Sequence, residues 1–196
     1  AADPTSFRVT IGGADCRQPY SASILNISAM SFGSLSANAI RALNWGAKRG
    51  GFSHDTGEGS ISQYHREYGG DLVWEIGSGY FGCRNDDGSF NEERFAQNAS
   101  DPQVKMVELK LSQGAKPGLG GMLPGDKVTP EIAAIRGVPV GQDVASPSRH
   151  SAFNSVDSML DVVEEIAEAT GLPVGIKSAV GQPEVWEELA SLMARG

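Results

Sequence analysis

The chain has 196 residues, with 24 acidic and 16 basic side chains and a formal charge of −8. It therefore lacks the clustered Lys and Arg that holding nucleic acid requires. The 40% apolar and 20% charged fractions are those of a globular protein, and no run approaches the roughly 20 apolar residues needed to cross a bilayer.

Residues 1 to 22 hold Pro4, Gly12, Gly13 and Pro19 without a sustained period and read as an N-terminal lead-in segment; residues 23 to 196 read as one domain. Its start has no charged stretch followed by an apolar signal core, so a cytoplasmic protein is expected. Two cysteines, Cys16 and Cys83, are too few for a disulfide framework and too far apart for a metal motif or an iron–sulfur cluster. Ile24 to Met30 is a short apolar run suited to a buried strand. Ser34 or Ser36 caps a helix with Ala39, Ile40, Leu43 and Ala47 at helical spacing, and Gly50 and Gly51 stop it. Gly51 to His54 is a second strand candidate, with TGEGS as its loop, and Asp71 to Ile76 a further one. Asn91 to Asn98 reads as a short helix with acids in its first turn.

Val104 to Leu111 is β-branched and aliphatic enough for a buried parallel strand. The following loop holds Gly114, Gly118, Gly120, Gly121 and Gly125, with Pro117 and Pro124 limiting its freedom. A strand followed by such a loop is the layout of a binding loop at the C-terminal end of a barrel strand. Thr129 caps a helix with Pro130 at its first position and Gly137 as its stop. Residues 141 to 153 form an irregular loop, and Asn154 or Ser155 opens an amphipathic helix ended by Gly171. Leu172 to Ile176 is a strand that delivers Lys177 to its edge, and Pro183 starts a last helix.

Short strands alternating with helices indicate an α/β fold with a parallel sheet. Counting strands near residues 24, 51, 104 and 172 finds half of the eight in a closed TIM (β/α)8 barrel, so the N-terminal half of such a barrel is expected. Gly77 to Gly82, GSGYFG, matches a dinucleotide fingerprint, but CRNDDG follows where a helix should open, which argues against that reading. His54, Asp55 and Glu58 cluster after the second strand without a second His at helical spacing, so a metal site is not expected. Lys110 and Lys177 end buried strands, where an ammonium group needs a partner and a functional role is favoured. His150, in SPSRH, suits an anion site or a structural loop equally.

Three blocks, AMSFGSLSANAI from Ala29, FSHDTGEGSIS from Phe52 and SQGAKPGLGGMLPGDK from Ser112, stand in an order and spacing that resemble the FMN-binding synthase domain of the glutamate synthases. The SAVGQPEVW segment after Lys177 looks more like the short, archaeal-type relatives. The resemblance implies an FMN-dependent oxidoreductase that reduces 2-iminoglutarate, formed from 2-oxoglutarate and ammonia or glutamine-derived ammonia, to L-glutamate. Ferredoxin or NAD(P)H would supply electrons. It implies FMN contacts from Ala29, Met30, Ser31, Lys110, Gln113 and Lys177, with Lys177 steadying charge at flavin N1, and it makes Lys177 and Glu58 the catalytic candidates. A related synthase, such as one making N-methylglutamate, and a noncatalytic barrel fragment are the alternatives. A half barrel would pair with itself or with a missing C-terminal half and bind FMN weakly alone.

Overall fold

A computed structural model describes residues 7 to 195. The chain enters through an antiparallel hairpin of β1 (Arg8–Ile11) and β2 (Tyr20–Ser23). This hairpin occupies much of the expected lead-in segment, whose residues 1 to 6 lie outside the described part. It straps the N-terminal ends of the main sheet: the Tyr20 hydroxyl donates to Asp71 at 3.0 Å, and the Gln18 N–H donates to the Gly171 carbonyl at 2.9 Å.

The strand expected over Ile24 to Met30 contracts to one parallel bridge between Ile27 and His54, and Ile24 and Leu25 are 65% and 67% exposed. Local side-chain bonds compete with the ladder there. The Ser23 hydroxyl accepts the Leu25 N–H at 3.1 Å, and the Asn26 side-chain oxygen accepts the Ser53 N–H at 3.1 Å. Helix α1 (Ala37–Gly50) follows, capped by Ser36 rather than Ser34 and closed by Gly51 at φ 64°.

Next come β3 (His54–Asp55), α2 (Gln63–Arg66), β4 (Leu72–Ile76), α3 (Glu92–Ala99) and β5 (Val104–Lys110). The glycine-rich loop after β5 leads to β6 (Met122–Leu123), then α4 (Pro130–Arg136) with its Thr129 cap, and β7 (Val144–Ala145), which pairs antiparallel with β6. Helix α5 (Val156–Thr170), β8 (Val174–Lys177) and α6 (Pro183–Met193) complete the chain. The irregular loop expected over 141 to 153 thus contributes one strand of a small ribbon.

The main sheet is parallel and ordered β3-β4-β5-β8, so strands lie side by side in chain order. That is the arrangement of consecutive β/α units, compatible with part of an α/β barrel. The four strands are not the four counted from sequence: β4 stands inside the sheet, and the run near residue 24 is the one that drops out.

The two faces of the sheet differ in chemistry. Leu72, Trp74 and Ile76 of β4 and Val107 and Leu109 of β5 are buried with Phe95 of α3, Met159 and Ile166 of α5 and Leu189 of α6. Alternation places Val73, Glu75, Met106, Glu108, Lys110 and Lys177 on the opposite face. The strands that looked uniformly buried are therefore apolar on one side and charged on the other.

Candidate active site

The C-terminal ends of these strands open on a cavity of about 300 Å³. Ala29, Met30, Ser31, Glu58, Lys110, Gln113 and Lys177 all line it. A larger cavity of about 620 Å³ lies under the hairpin at the opposite end, among residues such as Pro19, Asp101 and Thr170. That is the end where β/α folds place stability rather than chemistry.

Local geometry explains how each group arrives. Ala29 to Ser31 form one wall, pinned where the Met30 N–H donates to the Asp55 carbonyl at 3.1 Å and His65 Nε2 donates to the Met30 carbonyl at 3.0 Å. His65 Nδ1 accepts the Ser62 N–H at 3.1 Å, which sets the tautomer. The Ser31 hydroxyl donates to Ser34 at 3.0 Å, leaving its oxygen able to accept. Gly57 lets the next loop pass: at φ 66°, a Cβ there would lie 2.8 Å from the Ser31 nitrogen. This close approach brings Glu58 into the cavity.

Glu58 is gripped between glycines. A Cβ at Gly77 would lie 2.5 Å from its Oε2, and one at Gly121 would lie 2.0 Å from its Oε1. Lys110 Nζ lies 3.6 Å from Glu58 and 3.7 Å from Glu75 Oε1, and donates to the Gln113 side-chain oxygen at 2.7 Å. Lys177 bonds Glu75 Oε2 and lies 3.8 Å from Glu108. Burial alone would lower the Lys177 pKa, but the Glu75 bond and the charges of Glu75, Asp55 and Glu108 outweigh it, so the ammonium form is reinforced. Burial raises Glu75, while Lys177 and Lys110 pull it back.

Two further residues emerge only in the fold. Glu75 is 1% exposed and looked like part of an apolar strand; its signal was a lone acid within LVWEI. Arg136 at the end of α4 is 5% exposed and lines the cavity, donating to the Phe32 carbonyl at 3.3 Å with its guanidinium 5.2 Å from the centre of the Phe81 ring. Its Nε is buried without a hydrogen-bond partner. A basic residue in the last turn of a helix is ordinary, so nothing in the sequence marked it. Of the two loop lysines after Gln113 that the sequence leaves as weaker candidates, Lys116 lines the cavity and Lys127 is exposed on the surface.

Other candidates separate. His54 and Asp55 are adjacent on β3, so their side chains leave opposite faces: the His54 ring sits 5.1 Å from that of His65. Only Asp55 and Glu58 of that cluster lie on the charged side. His150 is buried, with Nε2 donating to the Lys110 carbonyl at 2.7 Å and Nδ1 accepting from the Tyr80 hydroxyl at 3.1 Å. Both ring nitrogens are thus engaged, and the imidazole braces the end of β5. GSGYFG forms turns, with Tyr80 at φ 48° and Gly82 at φ 86°, and no helix opens until Glu92.

A charged cavity at the C-terminal edge of parallel strands, floored by two lysines and a buried glutamate, lies where β/α domains place their binding sites. Residues 10–195 match the family model described as the conserved region in glutamate synthase, and the chain belongs to that family. It is 42% identical over 187 residues to the glutamate synthase large subunit-like protein YerD of Bacillus subtilis, covering 94% of this chain and 35% of that protein. It is 40% identical over 154 residues to the archaeal-type glutamate synthase [NADPH] of Thermotoga maritima, covering 78% of this chain and 28% of that protein. The archaeal glutamate synthase [NADPH] of Methanocaldococcus jannaschii is 37% identical over 155 residues, again 78% and 28%. The chain thus spans about a third of these relatives' length.

Proposed function

We propose that the protein to which this chain belongs is an FMN-dependent oxidoreductase that reduces 2-iminoglutarate, formed from 2-oxoglutarate and ammonia, to L-glutamate. The observation that carries the reading is the convergence of Lys110, Lys177 and Arg136 on one cavity beside Glu58 and Glu75. Such a donor set suits a flat, electron-accepting ring next to a dicarboxylate. Arg136 lines the cavity and makes one hydrogen bond, to the Phe32 carbonyl, so its guanidinium has capacity left to pair with a carboxylate there.

FMN would supply hydride transfer, the chemistry that side chains cannot perform. Lys177, Lys110, Gln113 and the Ala29–Ser31 wall would hold its ring system. Lys177, kept as an ammonium by Glu75, would favour negative charge on a neighbouring ring edge. Arg136 would bind a substrate carboxylate. Glu58, held by Gly77 and Gly121 against Lys110, would orient the amino nitrogen. The names of the archaeal-type relatives favour NADPH as the electron source, and the protein would work in the cytoplasm.

The test is flavin spectroscopy on the intact protein. Added FMN should bind with a shifted visible spectrum, and after reduction the bound flavin should be reoxidised by 2-oxoglutarate plus ammonium. Reoxidation by another amine or oxo acid, with none by this pair, would transfer the assignment to a related synthase such as one making N-methylglutamate. Failure to take up flavin under any condition would remove the reading.

A further inference from the structure

The turn GSGYFG, which imitates a dinucleotide fingerprint, has no helix opening behind it to meet a phosphate. Its glycines make room for side chains instead. A Cβ at Gly77 would strike Glu58, one at Gly79 would lie 2.7 Å from Phe81 Cζ, and one at Gly82 would strike Ser60 Oγ. Backbone bonds pin the turn: the Tyr80 N–H donates to the Gly77 carbonyl at 3.0 Å and the Cys83 N–H to the Tyr80 carbonyl at 2.9 Å. The Tyr80 hydroxyl accepts the Ala152 N–H at 3.2 Å. Phe81, 3% exposed, is thereby held at the cavity wall.

Its ring meets two cations. The guanidinium of Arg136 lies 5.2 Å from the ring centre and that of Arg84 5.6 Å. Arg84 is tied to the turn and to the end of α4: its Nη1 donates to the Gly79 carbonyl at 3.3 Å, and a Cβ at Gly137 would lie 3.5 Å from its Cγ. Arg136 has fewer partners. Its one hydrogen bond goes to the Phe32 carbonyl, and among the described residues no carboxylate stands within ion-pair distance of it. Gly33 and Gly59 bound it on the loop side, where a Cβ would lie 3.4 Å and 2.8 Å from Nη2. A guanidinium has five N–H donors, and taking its charge out of water is costly. The negative face of an aromatic ring is what offsets that cost here.

We propose that Phe81 is the positioning residue for Arg136, its ring face holding the guanidinium at the cavity wall so that it receives a carboxylate of the 2-oxo acid. The substrate in this inference rests on the reading under Proposed function; the task given to the GSGYFG turn goes beyond it. An acid in the place of Phe81 would also hold Arg136, but it would compete with the substrate for the same N–H groups. An uncharged ring fixes the cation and leaves its charge for the incoming carboxylate. Phe81 acts through Arg136 and takes no part in hydride transfer.

The test follows reoxidation of reduced flavin in the intact protein as 2-oxoglutarate is varied at fixed ammonium. Phe81→Leu should raise the 2-oxoglutarate concentration for half-maximal rate by about tenfold, with the maximal rate and FMN affinity within about twofold of wild type. Phe81→Tyr, which keeps the ring face, should restore the wild-type requirement. In Arg136→Met protein, Phe81→Leu should add less than about twofold, because the group it positions is gone. Losses that multiply in the double variant, or a wild-type requirement in Phe81→Leu, overturn the proposal.

Fluorinated phenylalanines at position 81 keep the shape of the ring while draining its negative face, so they test the same contact even where Phe81→Leu fails to fold. The 2-oxoglutarate requirement should climb with each added fluorine, and a flat response overturns the proposal. If wild-type protein is not reoxidised by 2-oxoglutarate and ammonium, the proposed function falls and this inference with it. A protein that responds to Arg136→Met and not to changes at Phe81 loses this inference alone.

Discussion

At the scale of single residues, the cavity depends on side chains that are absent as much as on those present. Gly121 carries no functional group, yet a methyl there would meet Glu58 Oε1 at 2.0 Å, against a carboxylate that Gly77 blocks from behind. Gly121→Ala should expel Glu58 and break its approach to Lys110, weakening FMN or 2-oxoglutarate binding by about tenfold or more, a loss of roughly 1.4 kcal/mol. A fluorescence titration would measure this, with circular dichroism showing the fold retained. Arg136→Met removes a buried guanidinium that has one hydrogen bond and an unpaired Nε. It should raise the concentration of 2-oxoglutarate needed for reoxidation by about a hundredfold, on the order of a charge-assisted hydrogen-bond pair, and leave FMN affinity nearly unchanged. The place of Lys110 and Lys177 in the cavity was legible because ammonium groups at strand ends are unusual. Arg136 and Glu75 were not, since their importance lies in contacts with segments far away in sequence.

At the scale of elements, two helix caps separate stability from function. Ser155 accepts the Ser158 N–H at 3.1 Å, and the Ser158 hydroxyl accepts the Ser155 N–H at 3.1 Å, so α5 starts with both bonds of a capping box. Thr129 accepts the Ile132 N–H at 3.3 Å and starts α4, the helix that carries Arg136. Replacing either by Ala should cost about 1 kcal/mol, read as a fall of a few degrees in the thermal midpoint. Only Thr129→Ala should also weaken 2-oxoglutarate binding, because α4 is one short helix from its cap to the guanidinium. Equal effects of the two variants on ligand affinity would remove α4 as the element that positions Arg136. These caps were readable from sequence because a cap bond spans only three residues. The strand near residue 24 was misjudged because Ser23 and Asn26 divert its backbone bonds, a contest that apolar patterning does not register.

For the whole molecule, stability should depend on pH through two buried imidazoles. Burial, aided by the neighbouring ring, pushes His54 down to about 3, and burial pushes His65 down to about 4. Both lie below the unfolded value, so between that value and these numbers the unfolded chain binds more protons and acid favours unfolding. Their contribution is fully present above about pH 6.5 and is lost as pH falls, by about 2 kcal/mol per histidine between pH 7 and 5. Asp55 works in the opposite direction: burial and the neighbouring carboxylates raise its folded pKa, so it adds stability as pH falls. The measurement is therefore a difference. His54 has no hydrogen bond on either ring nitrogen, so His54→Leu removes little structure. Its urea midpoint should fall less between pH 7 and 5 than that of the wild type, by the equivalent of about 2 kcal/mol. Equal falls would mean that His54 is protonated in the folded protein.

The sequence by itself determined the alternation of strands and helices, the positions of most caps and stops, and the loop blocks by which the family is recognised. These are local: periodicity, capping and glycine placement act over a few residues. Tertiary structure alone decided which strands pair, that β4 rather than the run near residue 24 holds an interior place, and that one sheet face is charged. It also decided that His54 and Asp55 part company, and that Glu75 stands between two lysines from different strands. Those outcomes depend on register and on the pairing of charges that share a low-dielectric interior, quantities that exist only once distant segments have met.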